Sequence, residues 1–480
     1  MMREALKKDD TIKFSEVLVD EYQDTNTLQG SLIDAFDKKS LFCVGDYDQS
    51  IYAFNGANIE IIGSFAERYK GANIFKLNKN YRSTSKILSL ANRVIEHNPR
   101  LYDKKLEVTR IGDCEAPKLL IYEEMFTQYQ AISTLVKLSK TPHNEAAVIF
   151  RNNSSADGIE ATLRESSIPY KRRGGISFFD SREVKVMMDL VSVVVNPKDM
   201  MAFIHIYEYA KGVGSALSKE LFEALFKLGD GDIYKGFFHP KDIANPFKTR
   251  VKNYQLGLFD DCHEFGSVSR FSKEGFDETF MSNPILKNAR LSLDGAKFIH
   301  KFYEYMKNST RIKNPQTLVN HIMSSEIFNQ IADLLASQRA TKKDGSIDEL
   351  AKKEARSRIF RKGHLLKNLA SSYSSSERFL NALTLGSNEM SEGDGVNLLS
   401  VHASKGLEFT EVYVIDLMDG RFPNRKLMSK GGSLEEERRL FYVATTRAKD
   451  KLSLSYAKYD KIKKIAYVHS PFLKEAKLVN

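Results

Sequence analysis

Two adjacent carboxylates, Asp20 and Glu21, close a short apolar run in VLVDEYQDTN, and nothing else in the first 40 residues has comparable chemical potential. A carboxylate pair at a strand end lets one residue hold a divalent cation while the next reaches a nucleophilic water; such a pair alone is more often a turn or a helix cap. Further along, NKNYRST contains Arg82 and YVATTRA contains Arg447, two arginines singled out by the motifs they stand in. The planar guanidinium fork bonds phosphate oxygens bidentately and keeps its charge, which suits a phosphoryl transition state. Tyr52 and Phe54 stand at alternate positions in GDYDQSIYAFNGA, a spacing that puts both rings on one side of an extended loop, where they could stack on bases. The same spacing also fits a core pair. Gly212 and Gly214 in KGVGS open a helical pattern, and backbone N–H groups at a helix start can receive an anion; an ordinary loop reads the same way.

These segments occur in a fixed order: DEYQDTN, GDYDQSIYAFNGA, NKNYRST, SVHASKGLEF and EEERRLFYVATTRA. Ordered in this way, the series resembles the superfamily 1 DNA helicases of the UvrD, Rep and PcrA type, over nearly the whole chain. The resemblance implies roles residue by residue. Asp20 is a Mg²⁺ ligand and Glu21 polarises the attacking water. Gln49 senses the γ-phosphate, while Tyr81 stacks on adenine and Arg82 meets the γ-phosphate. Glu408 holds the ribose, and Arg447 is an arginine finger. Tyr52, Phe54, His402, Gly212 and Gly214 contact DNA, the two glycines on the duplex side. Glu436, Glu437 and Arg438 are read as ion-pair formers that orient the last motif. The chain departs from its relatives at Phe54 and Asn55, where they carry tryptophan and arginine; the smaller ring and lost charge weaken the expected DNA contact or coupling.

The elements that must position these residues are legible as apolar runs at Glu16 to Asp20, Leu41 to Asp46, Ala146 to Phe150, Val396 to Val401, Glu411 to Leu417 and Lys451 to Tyr456. Several end in a loop that opens a helical pattern, the signature of parallel sheets with ligands at the carboxyl ends of the strands. From about Met187 to Thr384 helical patterns take over. The expected fold is therefore α/β: two RecA-like motor domains of the P-loop NTPase type, the first truncated, with a large helical insertion in the second. The expected boundaries are 1–77 for the first motor domain, 78–186 and 387–480 for the two segments of the second, and 187–386 for the insertion. Within the insertion, a basic run from Arg339 to Lys367 reads equally as a solvated helix face or a nucleic-acid surface. Ser371 to Ser376 are expected to form a flexible exit from it, and Ser387 to Gly395 and Leu427 to Gly432 to be loops.

Composition sets outer bounds. Lys and Arg number 72 against 62 Asp and Glu, a net charge of +10 that favours a polyanionic partner without proving one. The three cysteines, Cys43, Cys114 and Cys262, show no metal-ligand spacing and are expected to be reduced thiols. No apolar stretch approaches the roughly 18 residues that span a bilayer, so no membrane partner and a cytoplasmic location are expected.

One part of the resemblance is missing. No Gly-Lys-Ser or Gly-Lys-Thr occurs, so no phosphate-binding loop can be proposed. The leading expectation is a large C-terminal part of an ATP-dependent 3′-to-5′ DNA helicase, inactive alone, acting in repair or replication with ATP and Mg²⁺ on single-stranded and duplex DNA. A split gene whose separate N-terminal fragment completes it is one form of that expectation. The rival readings are a non-catalytic DNA-binding or regulatory remnant and, ranked last, a helicase-nuclease subunit of the AddA type.

Overall fold

A computed structural model describes residues 13–100, 106–110, 115–243, 245–247, 268–389 and 395–480. It resolves into two compact units, one formed by Met1–Gly175 with Asn388–Asn480 and the other by Ile176–Ser387.

Among the described residues the first unit holds three sheets, two of them of only two strands. β1 (Lys13–Val19) and β2 (Asp37–Cys43) pair with each other, Val17 opposite Leu41 and Val19 opposite Cys43. A parallel pair needs a crossover, and the helix Thr27–Ala35 provides it. Asn26 starts that helix with a capping box: its side chain accepts from the Gln29 N–H, and the Gln29 side chain accepts from the Asn26 N–H. β3 (Lys79–Asn80) and β4 (Glu107–Val108) form a short parallel ladder.

The main sheet has seven strands, adding β5 (Lys118–Glu124), β6 (Ala146–Phe150), β7 (Tyr170–Arg173), β8 (Val396–Ser400), β9 (Phe409–Val414), β10 (Ala448–Asp460) and β11 (Ile465–Ala466). Its parallel order is β7-β8-β6-β9-β10-β5, and β11 turns back antiparallel onto the end of β10. All five residues of β6 are buried, as expected for a parallel strand covered on both faces. The helix Met125–Leu138 packs on β5 and β10, and the helix Leu434–Thr445 packs on β9, β10 and the helix Ser85–Ile95.

All six apolar runs fall on strands, though four strands start earlier than the runs: β1 at Lys13, β2 at Asp37, β9 at Phe409 and β10 at Ala448. β5 and β7 have no counterpart in the sequence reading. In β7 the reason is chemical, because Tyr170–Arg173 is polar: the Arg172 side chain is nearly buried, its Nη1 paired with Asp157 (3.2 Å) and the fully buried Glu160 (2.7 Å).

In the second unit no strand lies among the described residues. The helices Arg182–Val195, Met200–Tyr207, Ser215–Leu228, Leu293–Ser309, Pro315–Ser324, Glu326–Ala340 and Glu349–Ala370 enclose an aromatic core in which Phe203 stacks on Tyr207 at 4.2 Å. Buried Glu183 ties the bundle together by pairing with Arg339 (2.5 Å) and Lys362 (3.2 Å). The basic run is partly spent in such pairs, Arg356 with Asp333 and Arg358 with Glu354 among them. Ser371 to Ser376 are not an exit from the helical region. They turn the chain tightly into another helix, Ser376–Glu389, because the Ser371 and Ser372 N–H groups bond back to Asn368 and Leu369 and the Ser371 hydroxyl caps Asn368. Leu427 to Gly432 contain the end of a short helix, Arg425–Met428, and a turn. Most of the expected 387–395 loop, with Cys114 and Cys262, lies outside the described residues.

Candidate active site

Asp20 follows the last residue of β1, and its carboxylate accepts the Glu21 N–H at 2.8 Å. That bond accompanies a left-handed turn at Glu21 (φ 50°), an unusual conformation for a residue with a Cβ. The turn leaves Glu21 57% exposed, its Oε2 facing Lys405 Nζ at 3.2 Å and accepting from Gln23 Nε2 as well. Gln23 is itself buried and accepts the Asp46 N–H at 2.9 Å, which fastens the end of β1 to the end of β2. Gly45 permits this approach, since a Cβ there would stand 2.7 Å from Gln23 Oε1. Lys405 is the hub of the region: besides Glu21 it pairs with Asp24, donates to the Gln49 carbonyl at 3.0 Å and sits 5.2 Å from the centre of the Tyr52 ring. Burial raises the Asp24 carboxyl, against the pull of Lys405.

Gln49 lies in a turn that several cations grip. Its Nε2 donates to Asp46 at 2.9 Å, and its Oε1 accepts from Arg447 Nη2 at 3.3 Å. Arg439 donates to the Ser50 carbonyl at 2.7 Å, and Arg100 pairs with buried Asp48 at 3.1 Å. Arg447 is 1% exposed and held by the carbonyls of Val443 (3.0 Å) and Leu407 (3.1 Å). Burial, with the nearby Arg82 charge adding to it, lowers its pKa to about 10. A buried guanidinium with incomplete charge compensation is set to accept an anion.

Beside Arg447 opens a cleft of about 750 Å³ whose walls include Gln49, Tyr81, Arg82, Arg110, Glu408 and Lys449. Arg82 Nε and Glu408 Oε2 are 2.7 Å apart, and Arg82 holds the Glu408 carboxyl below its ordinary pKa. Tyr81 is 70% exposed on the cleft wall, so its ring is free to be covered by a flat ligand.

Tyr52, Phe54 and His402 form one aromatic cluster, with ring centres 6.0 Å apart for Tyr52 and Phe54 and 5.0 Å for Phe54 and His402. The loop carrying the first two is not extended, as the alternation suggested. Ala53–Asn55 is a turn of 3₁₀ helix closed by Gly56 at φ 85°, and the rings meet because both pack against His402. Phe54 remains exposed, a ring edge-on to His402 and open to solvent. Burial, with Arg151 nearby, lowers the His402 pKa to about 4, so the imidazole is neutral near pH 7. Arg151 itself forks onto Glu437, and Arg438 onto Glu475, in keeping with an orienting role for that motif.

Gly212 and Gly214 belong to the helical unit. Gly212 has φ 80° and a Cβ there would meet Ser292 Oγ at 2.8 Å; Gly214 caps the helix Ser215–Leu228 and is exposed. Among the sequence-predicted residues the structure thus brings Gln49 to Arg447, Arg82 to Glu408, and Tyr52 with Phe54 to His402. Lys405, Gln23 and Arg110 were missed. Lys405 and Gln23 sit inside motifs already singled out, but no spacing rule announces which charge they meet.

A triphosphate fits this donor set on its base, ribose and terminal-phosphate sides, given the polar cleft, the exposed Tyr81 and the two arginines. Among the described residues no three His, Cys, Asp or Glu side chains cluster as a metal site. Mg²⁺ usually takes only one or two carboxylates and draws other ligands from phosphate and water, so Asp20 beside Glu21 is compatible with it.

A family model described as UvrD-like helicase C-terminal domain matches residues 75–459, and one described as UvrD/REP helicase N-terminal domain matches residues 3–70. DNA helicase II of Escherichia coli strain K12 is 28% identical over 476 residues, which cover 96% of this chain and 58% of that protein. The ATP-dependent DNA helicase PcrA of Leuconostoc citreum is 30% identical over 457 residues, 93% of this chain and 54% of its own length. PcrA of Bacillus subtilis strain 168 is 28% identical over 469 residues, 93% of this chain and 55% of its own. The chain spans a little over half the length of these relatives.

Proposed function

The chain belongs to the UvrD-like helicase family, and from that premise we propose that it forms the larger part of an ATP-dependent DNA helicase that moves 3′ to 5′ in DNA repair or replication. The observation that carries this reading is the meeting of Gln49 with Arg447 at 3.3 Å, residues 398 positions apart, beside the cleft that Arg82 and Glu408 span.

ATP with Mg²⁺ supplies a phosphoanhydride bond whose hydrolysis releases the free energy for stepping. In this reading Asp20 holds the cation and Glu21 orients and polarises water once Lys405 withdraws from it. Arg82 and Arg447 neutralise charge on the terminal phosphate, and Gln49, bonded to Arg447, reports the state of that site to the turn bearing Tyr52 and Phe54. Tyr81 covers the base and Glu408 the ribose. Phe54 and Tyr52 offer stacking faces to a single strand, His402 adds a neutral ring beside them, and Gly212 with Gly214 approach duplex phosphate.

A second reading, DNA binding without turnover by this chain, is favoured by the absence of Gly-Lys-Ser or Gly-Lys-Thr from its 480 residues. A separate polypeptide bearing the phosphate loop, as partner, would restore turnover under the first reading and not under this one. Either reading requires binding to single strands with strong salt dependence and little sequence preference. Titrating fluorescent oligonucleotides of several sequences at rising salt tests it. Affinity that ignores salt, or that follows sequence closely, would sink both.

A further inference from the structure

Arg110 lies outside every motif of the sequence reading, yet it touches two of the segments that build the cleft. The β3–β4 ladder delivers it. Asn80 is in register with Val108, and the Thr109 N–H donates to the Asn80 carbonyl at 3.1 Å, so two residues further along each strand Arg110 arrives beside Arg82. There Nη1 donates to the Arg82 carbonyl at 2.8 Å and to the Lys449 carbonyl at 3.1 Å, and Nη2 meets Asp450 at 2.6 Å.

The same stretch of β10 receives two more bonds from the Arg82 turn. Ser83 Oγ donates to the Ala448 carbonyl at 2.7 Å, and the Thr84 N–H donates to the Lys449 carbonyl at 3.1 Å. Ala448 directly follows Arg447. The backbone carrying Arg82 and the backbone that continues from Arg447 are thus stitched together, and the Arg110 side chain bonds to both.

We propose that Arg110 is a positioning residue that fixes the distance between Arg82 and Arg447, so that the two guanidiniums stay converged on one anion despite their mutual repulsion. Three acceptors on three residues engage its two terminal nitrogens, leaving Arg82 to face Glu408 and the cleft. A lysine could keep the charge and could not reproduce that geometry. Asp450 is the counter-charge that holds the fork in plane.

The inference rests on the nucleotide reading of the cleft, and its test separates the two. Affinities of the full 480-residue chain for ATPγS and ADP are measured by titration at up to millimolar nucleotide, together with hydrogen exchange at the Thr84 amide. The wild-type chain is expected to prefer the triphosphate, and Arg82→Ala to lose that preference. Arg110→Ala and Arg110→Lys should each lower the preference by about tenfold, the size of one charged hydrogen bond, and speed Thr84 exchange to a similar degree. Arg110→Lys keeps the claim testable should the alanine variant fail to fold. A preference lost in Arg82→Ala and intact in both Arg110 variants overturns this inference alone. No preference in the wild-type chain overturns the proposed function and this inference together.

Discussion

In the seven-stranded sheet β6 is buried along its whole length, whereas in the two-stranded sheet Leu18 of β1 is 69% exposed and Phe42 of β2 is 54% exposed. Both sheets are parallel apart from β11 at the edge of the larger one, and both end in loops that carry chemistry. Parallel strands gain most of their stability from cover on both faces, roughly 1.5–3 kcal/mol for each large aliphatic side chain removed from water. β1 and β2 receive little of it, and Phe75 and Leu77, on the segment leading to Tyr81, are also more than four-fifths exposed. The candidate active site therefore has a firm wall and a thin one. Arg447 hangs on the covered sheet, and Arg82, just past β3, is bonded to that sheet's β10 through Ser83 and Thr84. Asp20, Glu21 and Gln49 hang on the sparsely covered one, and Lys405, Arg439 and Arg100 reach across to steady it.

The largest effect should appear when a phosphate loop is supplied beside the thin wall. By themselves the 480 residues are expected to turn over ATP negligibly. Addition of a polypeptide bearing a Gly-Lys-Ser/Thr phosphate loop that assembles with them should raise turnover. In that assembly Arg447→Ala should cut the rate by roughly 10³ to 10⁵, as for other arginine fingers, with DNA affinity nearly unchanged. Steady-state ATPase and oligonucleotide titrations on the same samples check this. A rate within a few fold of the parent would remove Arg447 from the chemical step.

A smaller effect bears on the two walls directly. Ile149→Ala, in the fully buried β6, should destabilise the protein by about 2–5 kcal/mol through lost burial and a cavity. Leu18→Ala, in exposed β1, should change stability by no more than about 0.5 kcal/mol. Denaturant melts measure both, and amide exchange should run orders of magnitude faster in β1 and β2 than in β6. Equal costs at the two sites would show that β1 is better covered than its exposure says.

The same asymmetry explains what the sequence could and could not reveal. Six strands were legible because apolar runs bounded by loops are a direct consequence of burial, and the order of the motifs pointed to the family. β7 was not, because Arg172 is buried by ion pairs and looks like a surface residue in one dimension. Lys405 and Arg110 were overlooked for a related reason: a cation's role is set by the acceptors that the fold brings to it. The convergence of Gln49 and Arg447 follows only from the way helix Leu434–Thr445 packs beside the Gln49 turn, which no local pattern encodes. Tyr52 and Phe54 were placed on one side correctly and for the wrong geometric reason. Their common neighbour His402, 348 residues beyond Phe54, supplies the constraint that an extended loop was expected to supply.

That aromatic cluster is where a last and smaller effect should be seen, because it is a seam between the two walls: His402 follows β8, and its rings of contact come from the turn after β2. Its pKa is about 4 in the folded chain against 6.5 ordinarily, with burial the main cause. The unfolded chain therefore binds the proton more readily. Stability from a neutral His402 is fully present above about pH 6.5, declines as pH falls, and is gone near pH 4; the whole span is worth at most about 3 kcal/mol. Other groups titrate in the same window, so the informative quantity is the difference between the wild-type chain and His402→Gln, which keeps a polar side chain and cannot be protonated. Melts at half-unit steps from pH 7.5 to about pH 4.5, above the range where most carboxylates titrate, should show the wild-type curve falling more steeply than the variant's. Loss should begin at the seam, so that Tyr52 and Phe54 become more accessible, by fluorescence quenching of Tyr52 or by exchange at neighbouring amides, before β6 loosens. Parallel pH curves for the two proteins would mean that His402 is already solvated, and that the thin wall is not held to the firm one through this ring.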